Sequence, residues 1–162
     1  MNLRRPARTL VALATAALAL GLSSCSYDNP TDMVYNPAIG VHDQSSTVDV
    51  LNAVIVKGGD TSTGGALVTT LVNNDEQNDD RLTGIEVGPE DQGVQATLGS
   101  SVDVPGGEHV ELSEEGVEVS GEGVEDGAFI TLTYTFANAE TVTVDVPVVV
   151  QDEGYYEDVE TP

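Results

Sequence analysis

Two stretches, residues 129–136 and 142–148, constrain the fold more than anything else in the chain, because both repeat every second residue. Ile130, Leu132, Tyr134 and Phe136 fall on one side of an extended backbone and Thr131, Thr133 and Thr135 on the other. Val142, Val144, Val146 and Val148 repeat the pattern opposite Thr141, Thr143 and Asp145. A period of two means strands with one buried and one wet face. Only residues 137–140 separate the two, so the pair is predicted to be a β-hairpin. Pro147 has no N–H to donate, which places its end of the strand at a sheet edge or beside a bulge.

The same rhythm runs upstream. Residues 48–56, 66–72, 82–87, 94–98, 102–104, 110–112 and 117–119 are short apolar runs bounded by Gly, Pro or Asp. No helical period appears among them. Strands at this spacing predict an all-β domain, an antiparallel β-sandwich over residues 48–150. Residues 25–162 are enough for one such domain and leave no room for a second.

The first residues have a different character. Arg4, Arg5 and Arg8 precede an apolar stretch over residues 9–22, which ends in Leu22-Ser23-Ser24-Cys25. A cationic start, a short apolar middle and small residues before the cut make a signal peptide, residues 1–24. Its apolar stretch falls short of the roughly 20 residues that span a bilayer. Pro6 after the arginine pair argues for general secretion. Cleavage between Ser24 and Cys25 would leave the only cysteine at the new N-terminus, where its thiol can take a diacylglycerol group. Two or three palmitate-type acyl chains on one residue hold a small domain durably on a membrane. The expectation is a bacterial lipoprotein, anchored to the cell membrane on its extracytoplasmic face. Residues 25–47, polar and containing Pro30 and Pro37, read as a flexible tether, and the acidic residues 151–162 as a disordered tail. Once Cys25 is acylated, neither a disulfide nor a thiol active site is available.

Charge narrows the partners. Beyond the leader, 28 acidic residues face only Lys57 and Arg81, a formal charge of −26. Nucleic acid is excluded as a partner. The body should stand off anionic headgroups, touching the membrane only through its lipid anchor, while an envelope protein with a basic surface, or a divalent cation, would be drawn in.

The order of the later motifs carries a resemblance. Val102-Asp103-Val104-Pro105-Gly106-Gly107 is followed by Val110 and Leu112, then by Gly127 and the run 129–136, then by Val142-Thr143-Val144-Asp145-Val146-Pro147-Val148. Asp80-Arg81-Leu82 lies upstream of them. In this order and spacing, from about residue 79 to 149, the chain resembles the PCu(A)C-type periplasmic copper chaperone family. The resemblance implies a cupredoxin-like β-sandwich, and members that bind Cu(I) and deliver it to oxidase assembly. It also implies where ligands would lie. The family's histidine-and-methionine motif follows the stretch matching Leu112, and here Glu118 stands at the histidine position and Ser120 at the methionine position. Between Val94 and Val102 there is a Gly and Ser turn with no histidine or methionine. Cu(I) is soft and prefers thioether and imidazole, whereas beyond the leader the chain offers only Met33, His42 and His109. The family's Cu(I) site is therefore not expected.

Other constellations point to harder ions. Asp75, Gln77, Asp79 and Glu86 have the offsets of a calcium loop, but Asp80 replaces its glycine and the flanks read as strands. Glu108, Glu111, Glu114, Glu115 and Glu118 surround His109 in sequence, making His109 and Glu118 the candidate metal ligands. His42-Asp43 is the one local pair suggestive of hydrolysis, and no nucleophile elbow, phosphate loop or zinc spacing occurs. The expectation is a non-enzymatic accessory or interaction module with no resident cofactor. The alternatives are a lipoprotein handling a divalent cation such as Cu(II) or Ca²⁺ through carboxylates and His109, and an acidic spacer.

Overall fold

The structure, a computed structural model, describes residues 39–59, 63–151 and 156–162. The leader, Ser24, Cys25, Met33 and the first part of the expected tether lie outside the described residues.

The described residues form ten strands and one 3-10 turn, with no α-helix. The strands are β1 (Val41–Asp43), β2 (Val48–Lys57), β3 (Gly64–Asn73), β4 (Asp80–Val87), β5 (Val94–Thr97), β6 (Val102–Val104), β7 (His109–Glu111), β8 (Glu118–Gly121), β9 (Phe129–Phe136) and β10 (Val142–Val150), and the turn is Leu112–Glu114. Their order, β5-β8-β3-β2-β10-β9-β4-β6, curls into two facing layers, with β1 added beside β2 and β7 beside β3. This is the β-sandwich that the strand pattern predicts, in the cupredoxin-like form that the resemblance implies.

Each expected alternation appears as burial. Ile130, Leu132, Tyr134 and Phe136 point into the core, and Thr133 and Thr143 meet hydroxyl to hydroxyl on the outside at 3.1 Å. The core is mostly branched aliphatics, with Val48, Val50, Ile55, Leu67, Leu71, Leu82, Leu132 and Val146 fully buried. Tyr134 is the large exception. Its ring crosses from β9 toward β3, where its hydroxyl meets that of Thr69 at 3.2 Å. That partner is what makes a buried phenol tolerable. Burial pushes the Tyr134 phenol far above its usual range, against a smaller lowering by the Thr69 hydroxyl.

β10 joins the two layers. Residues 142–147 pair antiparallel with β9, and Val148, Val149 and Val150 then pair with Ile55, Val56 and Lys57 of β2. The change of partner falls at Pro147, where the ladder can best spare a donor. The β2–β10 pairing is parallel, the one exception among the antiparallel pairings of the described strands.

The domain extends beyond residues 48–150 in two places. Residues 41–43, within the expected tether, form β1. Val41 and Asp43 pair with Ala53 and Val50 across a bulge in β2, at which Asn52 takes a positive φ of 53°. The displaced Asn52 N–H donates to His42 Nδ1 at 3.0 Å. Gly40 fits here because a Cβ would come within 2.5 Å of Asn52. The second place is the tail. The Gln151 side-chain amide donates to the carbonyls of Tyr156, Glu157 and Val159 at 2.7, 3.2 and 3.0 Å, and Thr161 lies against Gly58. Residues 156–162, the described part of the expected tail, thus lie against the sandwich, with the Gln151 side-chain amide reaching three of their main-chain carbonyls.

Candidate functional site

Strand register decides what the two candidate ligands can do together. β8 lies between β5 and β3, with Glu118 opposite Thr97 and Ala66, and Ser120 opposite Gln95 and Gly64. Val119 between them points inward and is fully buried, so Glu118 and Ser120 share the outer face. Glu118, Ser120, Gln95 and Thr97 offer that face carboxylate, hydroxyl and amide donors. His109 lies opposite Val72, six residues along β3 from the Ala66 partner of Glu118. At about 3.3 Å per residue that separates them by roughly 20 Å. They cannot ligate one ion.

The donors likewise do not fit copper(I). The described residues contain His42 and His109 as their histidines, with no methionine or cysteine, and His42 Nδ1 already accepts from Asn52. A soft, low-coordinate ion needs thioether or imidazole groups that converge, and here they do not. Among the described residues, no three His, Cys, Asp or Glu side chains are placed to hold one metal ion.

The calcium-like spacing resolves into turn chemistry. Asp75 Oδ1 accepts from the N–H groups of Gln77 and Asn78, and its Oδ2 from Asn78 Nδ2. The Asn78 amide and the Gln77 N–H hold the Asp75 carboxyl below its usual pKa of 3.8. Asp79 accepts from the Gly106 N–H at 3.0 Å, while Glu86 sits exposed on β4. The unexpected member is Asp80, which the sequence presents only as the residue that spoils a calcium loop. It is buried, accepting from Arg81 N–H at 2.7 Å, Asn138 N–H at 3.0 Å and Ala139 N–H at 2.7 Å, and so clamps the β9–β10 turn to the start of β4. Beside it, Arg81 Nε pairs with Asp103 at 2.5 Å along a cleft of about 390 Å³.

The His42-Asp43 pair makes no hydrolytic unit. The hydroxyl and N–H of Ser45 both donate to Asp43 and, with the hydroxyl the larger cause, hold its pKa low. The Ser45 hydroxyl is thus engaged by Asp43 and the His42 Nδ1 by the Asn52 N–H, so neither is poised as a nucleophile–base pair.

A second groove, of about 330 Å³, runs beside β8. Ala66, Leu67 and Val117 line it, Glu114 and Glu118 stand along it, and residues 160–162 contribute to its wall. Its existence depends on the docked C-terminal residues, which no local sequence signal revealed. No helix of the described residues is long and apolar enough to cross a membrane.

The chain matches no protein-family model and no curated protein. Among solved structures it is similar to the copper-bound PCuAC domain from PmoF2, with a TM-score of 0.54 and 19% identity over 68% of this chain and 99% of that domain. It is similar also to the apo PCuAC domain from PmoF1, with a TM-score of 0.57 and 17% identity over 68% of this chain and all of that one. A third, the apo PmoF2 PCuAC domain, gives 0.50 and 17% over 70% of this chain and 95% of the other. At these identities the likeness is one of fold.

Proposed function

We propose that this protein is a lipid-anchored, extracytoplasmic interaction module built on a copper-carrier-type sandwich, non-enzymatic and without the Cu(I) site. The observation behind this reading is the donor set on β8. The strand positions that the resemblance assigns to histidine and methionine hold Glu118 and Ser120, flanked by Thr97 and Gln95, and the nearest candidate imidazole, His109, is displaced along β3 by six residues. A scaffold with its soft donors replaced by oxygen has little to hold Cu(I) with. What it keeps is a strongly anionic body, suited to meeting a basic partner.

Titrating the protein with Cu(I) under reducing conditions tests the central point. The expected result is no stoichiometric binding. Tight one-to-one binding that disappears in His109→Ala would overturn the reading. The anchor is tested separately by Cys25→Ser, which should abolish incorporation of labelled palmitate and release the protein from membranes. Unchanged labelling in that variant would reject lipidation at Cys25.

A further inference from the structure

β1 is a short strand, and much of what fastens it to the sandwich converges on Asn52. Gly40, just before the strand, lies so close to Asn52 that a Cβ there would come within 2.5 Å of its carbonyl carbon. Val41 and Asp43 pair with Ala53 and Val50 on either side of the bulge, and Val41 is half-buried against the core. The bulge turns the Asn52 N–H away from the ladder, and the acceptor it meets is His42 Nδ1. A ring nitrogen accepts only while it carries no proton, so this bond needs the neutral imidazole with its hydrogen on Nε2. His42 is exposed to solvent, and histidine changes its charge between about pH 5 and 8. Once Nδ1 gains a proton, two N–H donors face one another and the bond is gone.

The charged groups around β1 are each engaged elsewhere. β1 packs on β2 and β10, which carry Asp49, Lys57 and Asp145. Asp49 accepts from the Gln44 amide at 3.1 Å, Lys57 donates to the Val124 carbonyl at 3.2 Å, and Asp145 accepts from the Thr131 hydroxyl at 2.9 Å. Asp43, on β1 itself, alternates to the other side of the strand from His42. The Ser45 hydroxyl, and after it the Ser45 N–H, hold the Asp43 carboxyl below its usual pKa of 3.8, so it stays ionised while histidine titrates. None of these bonds involves His42, so none of them compensates for the lost contact with Asn52.

We infer that His42 is a proton-operated latch: neutral, it fastens β1 to the bulge of β2, and protonated, it lets the strand go. Beyond β1 the chain stays held, Gln44 by Asp49 and Ser46 by the Glu140 carbonyl, so the release stops there and frees residues 39–43. Fully extended, these add about 17 Å of reach. Resting on the reading of Cys25 as the membrane anchor, acidification lets the body stand further from the membrane.

The test follows amide exchange of the full-length chain at pH 7.5 and pH 5.0, each rate taken relative to an unstructured peptide at the same pH. Protection at Asn52 and across residues 41–43 should fall by about tenfold at the lower pH, as expected when one hydrogen bond of a marginally held strand is replaced by a donor–donor contact. Leu132 and Tyr134 in β9 should keep theirs. His42→Asn sets a carbonyl oxygen that does not titrate in place of Nδ1, so its protection should be the same at both pH values, and His42→Ala, with no acceptor, should show the low value at both. A pH-dependent loss in the asparagine variant equal to that of the native chain would assign the effect to carboxylates and overturn the latch. So would undiminished protection in the native chain at pH 5.0. Exchange needs no membrane, so Cys25→Ser should reproduce it, and the reach is read separately by energy transfer from the body to a dye in phospholipid vesicles. Equal transfer at both pH values beside a tenfold change in exchange would reject the lengthened tether and leave the latch standing.

Discussion

Replacing Asp80 by alanine should loosen the corner at which the two halves of one layer meet. The carboxylate accepts three main-chain N–H groups, from Arg81, Asn138 and Ala139, two of them nearly sixty residues away in sequence. Hydrogen bonds to a charged acceptor contribute about 1.5–3 kcal/mol each when buried. Asn138 is exposed and Ala139 half-buried, so water can take over part of the lost bonding. Counting about 1 kcal/mol for each of the two long-range bonds, and a little for Arg81, gives a loss of about 2–3 kcal/mol. For a domain of this size that lowers Tm by about 8–10 °C. Asp80→Asn keeps the shape but offers one acceptor oxygen in place of two, so it should lose more than half as much. Thermal unfolding followed by circular dichroism measures both variants, and amide exchange should quicken first at Asn138 and Ala139. A fall in Tm of less than about 2 °C for the alanine variant would refute the clamp. So would an unaltered exchange rate at those two amides.

Tyr134→Phe should cost about 1–2 kcal/mol by leaving the buried Thr69 hydroxyl without a partner, and adding Thr69→Val should recover much of that loss in a double-mutant cycle. Because the folded phenol resists ionisation, its contribution is complete below the ordinary tyrosine pKa of about 10 and is lost as pH rises beyond it, so denaturant midpoints should drop in strong alkali and drop less in the phenylalanine variant. Carbon-detected NMR titration should place the Asp75 carboxyl below 3.8, and Asn78→Ala should move it back up; its stabilisation is present above the ordinary carboxylate range and disappears as pH falls through the folded value. Raising salt from about 0.01 to 0.1 M shortens the screening length from about 30 to 10 Å and should raise Tm, because repulsion within so acidic a body is relieved.

What the sequence displayed was whatever leaves a local trace. β9 and β10 were legible because a valine or threonine at every second position has only one sensible geometry, and the short runs of β5 to β8 because glycine and proline cut them cleanly. β1 left no trace, since three residues cannot show a period and its pairing depends on a bulge at Asn52, ten residues beyond His42. The docked C-terminal residues were invisible for a related reason: Gln151 grips main-chain carbonyls, which every residue has. The parallel β2–β10 contact joins residues more than ninety apart and has no signature in either strand alone. At the candidate site the shortage of soft donors could be read directly from residue types. The separation of His109 from Glu118 could not, because nine residues in sequence can be adjacent or distant depending on the register each strand takes against β3.

The strand exchange at Pro147 has a bearing on how the chain comes to be folded at all. Since β10 is the last strand in order and the seam between the layers, the sandwich cannot close until residues 142–150 have emerged. Until then the earlier strands would remain open and exposed to proteases, whatever the route by which the chain emerges from its N-terminus. Contacts of such long loop length also place it among slow folders, in the millisecond-to-second range of all-β domains. Truncation just before β10 should accordingly abolish folding rather than shorten the domain.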